Sequence, residues 1–393
     1  MPAITYTGPA LERDYDELML LLDDVFFQDD NEPKRGFLAL LPKLYAKQHS
    51  PWANNYILKE DGVIKAAVGM YVYDGEIAGQ PVRLGGIGNV AVARDSRRKG
   101  YMKITMDAAM AAMQAAGCAF GILGGQRQRY GYWGFDRCGW SLQGGFNRAN
   151  LRHAFGEGET TLRAEALTPG SAAELRVIQA AHEADLLHTC HDPALFFEVL
   201  SSWSNAPHIL RDAQGIAASF GLDRFGEGVS DLRLLQPERF GEVLRALFAL
   251  LPETSGSIGV SAAPWDAAMI AYLEKYGESY NAATSGSYTV LQWGTMLLHL
   301  LAAQAQLKDL PDGSIVVKIH GKQGDETLRI NVADGQPLAE PTDEAPGLEL
   351  DHLEAMRFFL APFSTRREAL PAAQVFLQTL LPLPLCWRNY DHV

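Results

Sequence analysis

Between Asn89 and Phe135 the chain passes from an apolar strand into a basic, glycine-containing turn, then a helix, then a second apolar strand. No other stretch restricts the fold as much. Val90-Ala91-Val92 closes a strand that begins near Val82 and carries Gly85, Gly86 and Gly88. Glycine inside a strand marks a bulge or the close approach of a ligand or another backbone. Arg97-Arg98-Lys99-Gly100 follows, and Tyr101 and Met102 open the helix. Met102, Met106, Met110 and Met113 recur at spacings of three and four, which predicts a helix over Arg98 to Ala116 with an apolar core-facing stripe. Gly117 stands where a C-cap belongs. Ala119 to Leu123 reads as a buried strand. A turn in this setting gathers backbone N–H groups and a helix N-terminus carrying about +0.5 charge, which together suit a pyrophosphate. Gly100 lets the backbone approach, and Arg94, Arg97, Arg98 and Lys99 supply full charges, with Arg127 and Arg129 to add more.

That basic cluster is out of character for a chain with a formal net charge of -13. The acidic balance speaks against a nucleic-acid partner and fits either simple solubility or a cationic substrate. At 393 residues the chain exceeds the ~250–300 at which a single core stops growing, so two or three domains are expected. Hydrophobic residues at 47% and charged residues at 21% are those of a globular protein. Cys118, Cys138, Cys190 and Cys386 are scattered, with no CxxC pair, so no disulfide framework or structural zinc is expected and the chain reads as cytoplasmic. Met1 to Asp16 lacks the pattern of a signal peptide, and no apolar run is long enough to span a bilayer, so no membrane partner is expected.

Leu18 to Phe27 reads as an amphipathic helix, and Tyr56–Leu58 and Val63–Tyr73 as strands of a meander around Glu60-Asp61-Gly62. A break falls near 148–158. Beyond it, helices (Ala172 to Ala184, Phe240 to Leu251) alternate with short strands (Gly215 to Leu222, Ser257 to Val260), a second α/β unit without a basic glycine turn. A third unit begins near Thr289, with a helix over Thr295 to Ala305 and a hairpin of Ser314–His320 and Thr327–Val332. Pro337 to Pro346 reads as a loop, and Asp351 to Leu360 and Pro371 to Leu381 as helices. His182, His188, Cys190, His191 and Asp192 are metal-ligand types, but their spacing fits no zinc pattern, so no metal is assigned.

Arg97 to Met102 resembles the acetyl-CoA loop of the GNAT superfamily (Q/R-x-x-G-x-G/A) except at Met102, and Tyr130 to Phe135 resembles its Tyr-x-x-x-Gly-Phe segment. The larger residue at Met102 is similar to the Eis-like branch. That resemblance implies an α/β (α+β) fold of tandem GNAT-like mixed sheets flanked by helices. The expected layout is a catalytic domain over 1–150, a second, degenerate GNAT-like domain over 151–288, and a sterol-carrier-protein-like domain over 289–393. It implies an acetyl-CoA-dependent N-acetyltransferase acting on a primary amine of a cationic small molecule (polyamine, amino-sugar or aminoglycoside-like) or on lysine, assembled as a trimer or hexamer. The alternative reading is a non-catalytic acyl-CoA- or lipid-binding protein.

The resemblance also implies site roles. Val90, Ala91 and Val92 pair with the pantetheine arm and hold the oxyanion. Arg97, Arg98, Lys99, Gly100, Tyr101 and Met102 form the phosphate turn. Tyr130 is the general acid, while Tyr132 and Trp133 read as core aromatics. The carboxylate of Val393 is the general base, although the ending Asp391-His392-Val393 departs from the aromatic ending of the family. Phe26, Phe27, Asp29, Asp30 and Trp52 are the acceptor-pocket candidates, with a solvated turn as the other reading of the two aspartates.

Overall fold

Alternating apolar residues and glycines in the first third pair into one long twisted sheet. The computed structural model describes residues 3–27, 36–368 and 375–393, so Asp29 and Asp30 lie outside the described residues. The chain forms two units. Residues 1–139, 286–385 and 392–393 make the first, and 140–285 with 386–391 make the second.

In the first unit, β1 (Ile4–Pro9), β2 (Asn55–Glu60), β3 (Val63–Ile77) and β4 (Gln80–Val92) form an antiparallel meander. Helix α1 (Tyr15–Phe26) connects β1 to the rest and buries Leu18, Leu21 and Leu22. After β4 comes α2 (Tyr101–Ala115), then β5 (Phe120–Leu123), which lies parallel to β4. Then come β6 (Asp136–Cys138) and, far along the chain, β7 (Gly286–Val290), which sits between β5 and β6. The α2 methionines divide by face. Met106 and Met113 are fully buried against the sheet, whereas Met102 and Met110 pack at its margin. Gly117, at φ +75, ends the helix as the spacing predicts.

The remaining part of the first unit begins with α3 (Trp293–Leu307), which covers a second sheet. This sheet contains β8 (Gly313–Gly321), β9 (Gly324–Ala333), β10 (Gln336–Pro341) and β11 (Leu348–Asp351), in the order β10-β9-β8-β11. The predicted hairpin is β8–β9, and it closes at the pair Gly321 and Gly324. The stretch expected to be a loop from Pro337 supplies β10 instead. It is an edge strand, where proline's missing N–H removes no ladder bond from the outer side. Helix α4 (His352–Leu360) follows, N-capped by Asp351 in a capping box with Glu354. Val375–Leu380 is helical, and the preceding part of the helix expected from Pro371 lies outside the described residues.

The second unit has the same order of elements. Arg163–Ala166, Ala206–Asp212, Gly215–Leu222 and Val229–Leu234 form an antiparallel four-stranded sheet in that order. Ala172–Glu183 lies between the first two strands, and Phe240–Leu250 follows the fourth. Ser257–Ala262 and Ser279–Ala283 flank Ser141–Asn147, just as β5 and β6 flank β7. Its core is built from Phe146, Phe240, Leu244, Leu247 and Ile258.

Candidate active site

β4 and β5 pair only from Leu84 with Phe120 to Ile87 with Leu123. Beyond Ile87, β4 continues to Val92 without β5 beside it, so its outer edge is open to an added extended group. At the point of divergence β4 bulges. Ala67 faces Ala91 and Gly69 faces Gly88, so Asn89 and Val90 together oppose Val68. Asn89 takes φ +39, an unusual conformation for a residue with a side chain.

Buried hydrogen bonds hold that conformation. The Tyr45 hydroxyl donates to Asn89 Oδ1 at 2.6 Å, and Asn89 Nδ2 donates to Asn55 Oδ1 at 2.7 Å. Asn55 Nδ2 in turn donates to Pro51 O at 2.8 Å. Gly69 has to be glycine here, because a Cβ would sit 2.1 Å from Asn89 Oδ1. Burial pushes Tyr71, next in this network, up to about 12, so it stays a neutral phenol.

A cleft of about 730 Å³ opens beside the bulge, a volume suited to a large ligand. It is lined by Val90 and Val92 from β4, by Ser96, Arg97, Arg98 and Gly100 from the turn, and by Tyr101, Met102 and Lys103 from the first turn of α2. Val25, Arg129, Tyr132 and Trp133 complete it. Arg98 at φ +67 and Gly100 at φ +82 are left-handed residues in the turn, the kind of backbone that gathers N–H groups into a nest, and the first N–H groups of α2 have no intrahelical acceptor.

Two of the expected cofactor-binding residues stand apart from the lining, and so does Tyr130. Strand alternation turns Ala91 into the core. Lys99 reaches back to Glu60 at 3.0 Å, and the Tyr101 hydroxyl donates to the same carboxylate at 2.7 Å. Tyr101 and Lys99 hold that carboxyl below its usual range. Arg129, and Lys103 paired with Asp107 at 2.6 Å, line the cleft beside Arg97 and Arg98, whereas Lys99 does not.

Tyr130 is buried and packs with Met106, Met113 and Phe135, in the cluster that Val90, Met102 and Trp133 border. Burial raises its phenol above the ordinary value, and neighbouring Arg129 pulls the other way. Of the two aromatics the sequence assigned to the core, Trp133 packs half-buried against it and Tyr132 does not. Tyr132 is 61% exposed on the helical turn Gly131–Trp133, and both line the cleft. The segment is held from behind. Asp136 is buried between Arg127 and Arg357, which keep its carboxyl low although burial alone would raise it. His352 Nε2 lies 3.1 Å from Gly134 O.

On the other face of β4, the chain's last described residue lies against the glycines. A Cβ on Gly88 would be 3.6 Å from the Val393 carbonyl carbon. Gly85 faces the opposite way, toward Met113. The glycine signal in β4 therefore marks both a bulge and the close approach of Val393. Among the acceptor candidates, Phe26 and Phe27 stack edge-on against Phe37, and Trp52 packs against Tyr15. None of these three lines the cleft. Sequence reasoning missed Asn89, Asn55 and Tyr45. The one signal was a polar residue set between Gly88 and Val90 in an otherwise apolar strand.

Residues 8–142 match the acetyltransferase (GNAT) domain family. This segment is a GNAT acetyltransferase domain. No curated protein matches the chain. Solved structures similar over nearly the whole length share its fold at low identity. A conserved protein of Enterococcus faecalis V583, a probable N-acyltransferase, is 14% identical with a TM-score of 0.71, covering 99% of this chain and 100% of its own. A GCN5-related N-acetyltransferase of Anabaena variabilis is 12% identical with a TM-score of 0.68, at 97% and 98% coverage. Eis1 of Mycobacterium abscessus is 12% identical with a TM-score of 0.64, at 97% and 99% coverage. The bulge, the open edge of β4 and the basic turn all fall inside the GNAT domain. Among the described residues no helix is long and apolar enough to cross a membrane.

Proposed function

We propose that the protein is an N-acetyltransferase that moves the acetyl group of acetyl-CoA to a primary amine of a cationic small molecule. The cleft carries this reading. A positive turn at a helix N-terminus stands beside a strand edge left open for an extended arm. The Arg97–Gly100 turn, with Arg98, Lys103 and Arg129, would hold the pyrophosphate. The backbone of Val90 and Val92 would pair with pantetheine amides, and the bulge N–H groups would face the negative charge that develops on the carbonyl oxygen.

An aliphatic ammonium has a pKa of about 10.4, so freeing its nitrogen at pH 7 costs about 4.6 kcal/mol. The Val393 carboxylate, whose carbon lies over Gly88, is the group proposed to take that proton. The amine nitrogen then bonds to the acetyl carbon, the carbon–sulfur bond breaks, and the second proton, shed by the acylated nitrogen, restores the Tyr130 phenol through solvent. Tyr130 protonates the departing sulfur. Its raised pKa makes stepwise transfer to a thiolate of pKa about 8.5 more unfavourable than in water, so the proton moves as the bond breaks.

The sequence resemblance to Eis-like proteins is the ground for also proposing three blocks over 1–150, 151–288 and 289–393, the last sterol-carrier-like, and a trimer or hexamer in the cytoplasm. The net charge of -13 suits a cationic acceptor. The test is calorimetry with CoA, followed by thiol release from acetyl-CoA with polyamines, amino-sugars, aminoglycosides and lysine peptides. Binding with turnover on at least one amine supports the reading. Binding without any turnover favours an acyl-CoA carrier, and absence of binding removes both.

A further inference from the structure

The second unit repeats the bulged meander of the GNAT domain. Between Gly215–Leu222 and Val229–Leu234, Ser219 faces Arg233 and Gly221 faces Ser230, so Asp231 and Leu232 together oppose Phe220. Asp231 sits at φ +49, as Asn89 does at φ +39. Asn205, just before the strand Ala206–Asp212, donates through Nδ2 to Asp231 Oδ2 at 3.4 Å and accepts from Ser230 Oγ at 2.9 Å. Asn55, which opens β2, bonds Asn89 in the corresponding way. A Cβ on Gly221 would be 2.7 Å from Ser230 Oγ, the counterpart of the crowding at Gly69.

The phosphate socket, by contrast, is not repeated. The helix Phe240–Leu250 is preceded by Pro237 and by Arg239, which is buried against Asp212 at 2.7 Å and Glu242 at 2.6 Å. With its cation neutralised and a proline in the turn, this helix start offers no nest for a nucleotide.

What lies beside this second bulge is residues 386–391. Tyr390, Asp231, Arg233 and Gly221 share the walls of a gap of about 20 Å³, room for one water. Each large tail side chain meets a complementary group. Trp387 Nε1 donates to Thr189 Oγ1 at 2.7 Å. Arg388 Nε donates to Asp185 Oδ2 at 2.9 Å, and Arg233 grips the same carboxylate. His182 Nε2 donates to Thr189 O at 2.9 Å, which leaves Nδ1 to accept from the Tyr390 hydroxyl at 3.0 Å. His191 Nε2 donates to Asp391 Oδ1 at 2.6 Å. His182, His191 and Asp391 lie close together, and their atoms His182 Nε2, His191 Nε2 and Asp391 Oδ1 take part in these hydrogen bonds.

We propose that the second unit is a receptor for residues 386–391 of its own chain, a binding role that has replaced nucleotide binding in a repeat of the catalytic meander. Asp185, His182, His191 and Thr189 are its reading residues, and Arg388, Tyr390, Asp391 and Trp387 are what they read. Because Val393 follows Asp391 by two residues, the receptor is also a positioning device for the chain end. That consequence, unlike the receptor itself, rests on the base reading proposed above.

The test compares the full-length wild type with Asp185→Asn and Arg388→Met, which break one contact from opposite sides. The readouts are carboxypeptidase release of Val393 and hydrogen exchange resolved by peptide. Both variants are expected to release Val393 at least tenfold faster and to lose protection over 386–391, while 206–234 and β2 to β4 stay protected. Unchanged release and protection in both variants would overturn the receptor. So would loss of protection across the whole second unit in both, since the pair would then be a fold keystone. Turnover is read separately. A freed tail with normal kcat removes Val393 from the mechanism and leaves the receptor standing.

Discussion

A Cβ built on Gly86 lies 2.7 Å from both Cγ carbons of Val393. The strand and the chain end are fitted to one another at the distance of a missing methyl group. Gly86→Ala should therefore push Val393 off β4 while leaving the cleft beyond the bulge intact. We expect kcat to fall at least tenfold with CoA affinity within twofold of wild type, measured by thiol release and calorimetry. An equal loss in both quantities would mean that the substitution has distorted the sheet instead.

Tyr130→Phe removes the hydroxyl but keeps the ring among Met106, Met113 and Phe135. Loss of a positioned acid costs about 10²–10⁴-fold, so kcat should fall by about two orders of magnitude with little change in KM for acetyl-CoA. Because the phenol lies above its ordinary value, the wild-type rate should show no falling limb from this group below about pH 10. A falling limb at pH 8 to 9 that disappears in the variant would contradict the assigned environment.

Asn89 separates backbone need from side-chain need. Asn89→Gly keeps access to φ +39 but loses the bonds to Tyr45 and Asn55. Asn89→Ala loses those bonds and strains the bulge as well. Strain of this kind is of order 1–3 kcal/mol. Urea denaturation should therefore rank wild type above Gly above Ala, with the Gly-to-Ala step at about 1 kcal/mol or more. If Ala is as stable as Gly, the bulge is not maintained against strain.

His352 is buried and lowered to about 4, chiefly by burial. An unfolded histidine takes its proton near 6.5. As pH falls below 6.5 the unfolded chain binds a proton that the folded chain refuses, so stability present above pH 6.5 is lost progressively down to about 4. The full loss is about 3 kcal/mol. His352→Gln should flatten that part of the stability–pH curve, as followed by urea melts at pH 7 and pH 4.5. An unchanged slope would place the acid sensitivity in other groups.

The catalytic third was the most legible part of the sequence, because its signals are local. A basic glycine turn between a strand and a methionine-striped helix can be read from neighbouring residues, and α2, β4 and β5 form within a few positions of their expected bounds. What stayed hidden depends on residues distant in sequence. The ion pair of Lys99 with Glu60 crosses 39 positions, and the hydrogen bond of Tyr45 with Asn89 crosses 44. The insertion of β7 between β5 and β6 is set by pairings as distant as Val290 with Phe120 and Gly286 with Cys138. The exposure of Tyr132 follows from a short helical turn whose direction no periodicity encodes. The histidine cluster of the second unit had no spacing to interpret because its partners are Tyr390 and Asp391.

Glu60 fastens Lys99 and Tyr101 to the end of β2 through side chains of the protein itself. The turn around Gly100 is thereby shaped in advance, and a ligand that settles on it does not have to organise it. Association should then be governed by diffusion and by attraction to the surrounding arginines, so it should quicken as ionic strength is lowered. Stopped-flow traces should show one concentration-dependent phase with no slow rearrangement behind it.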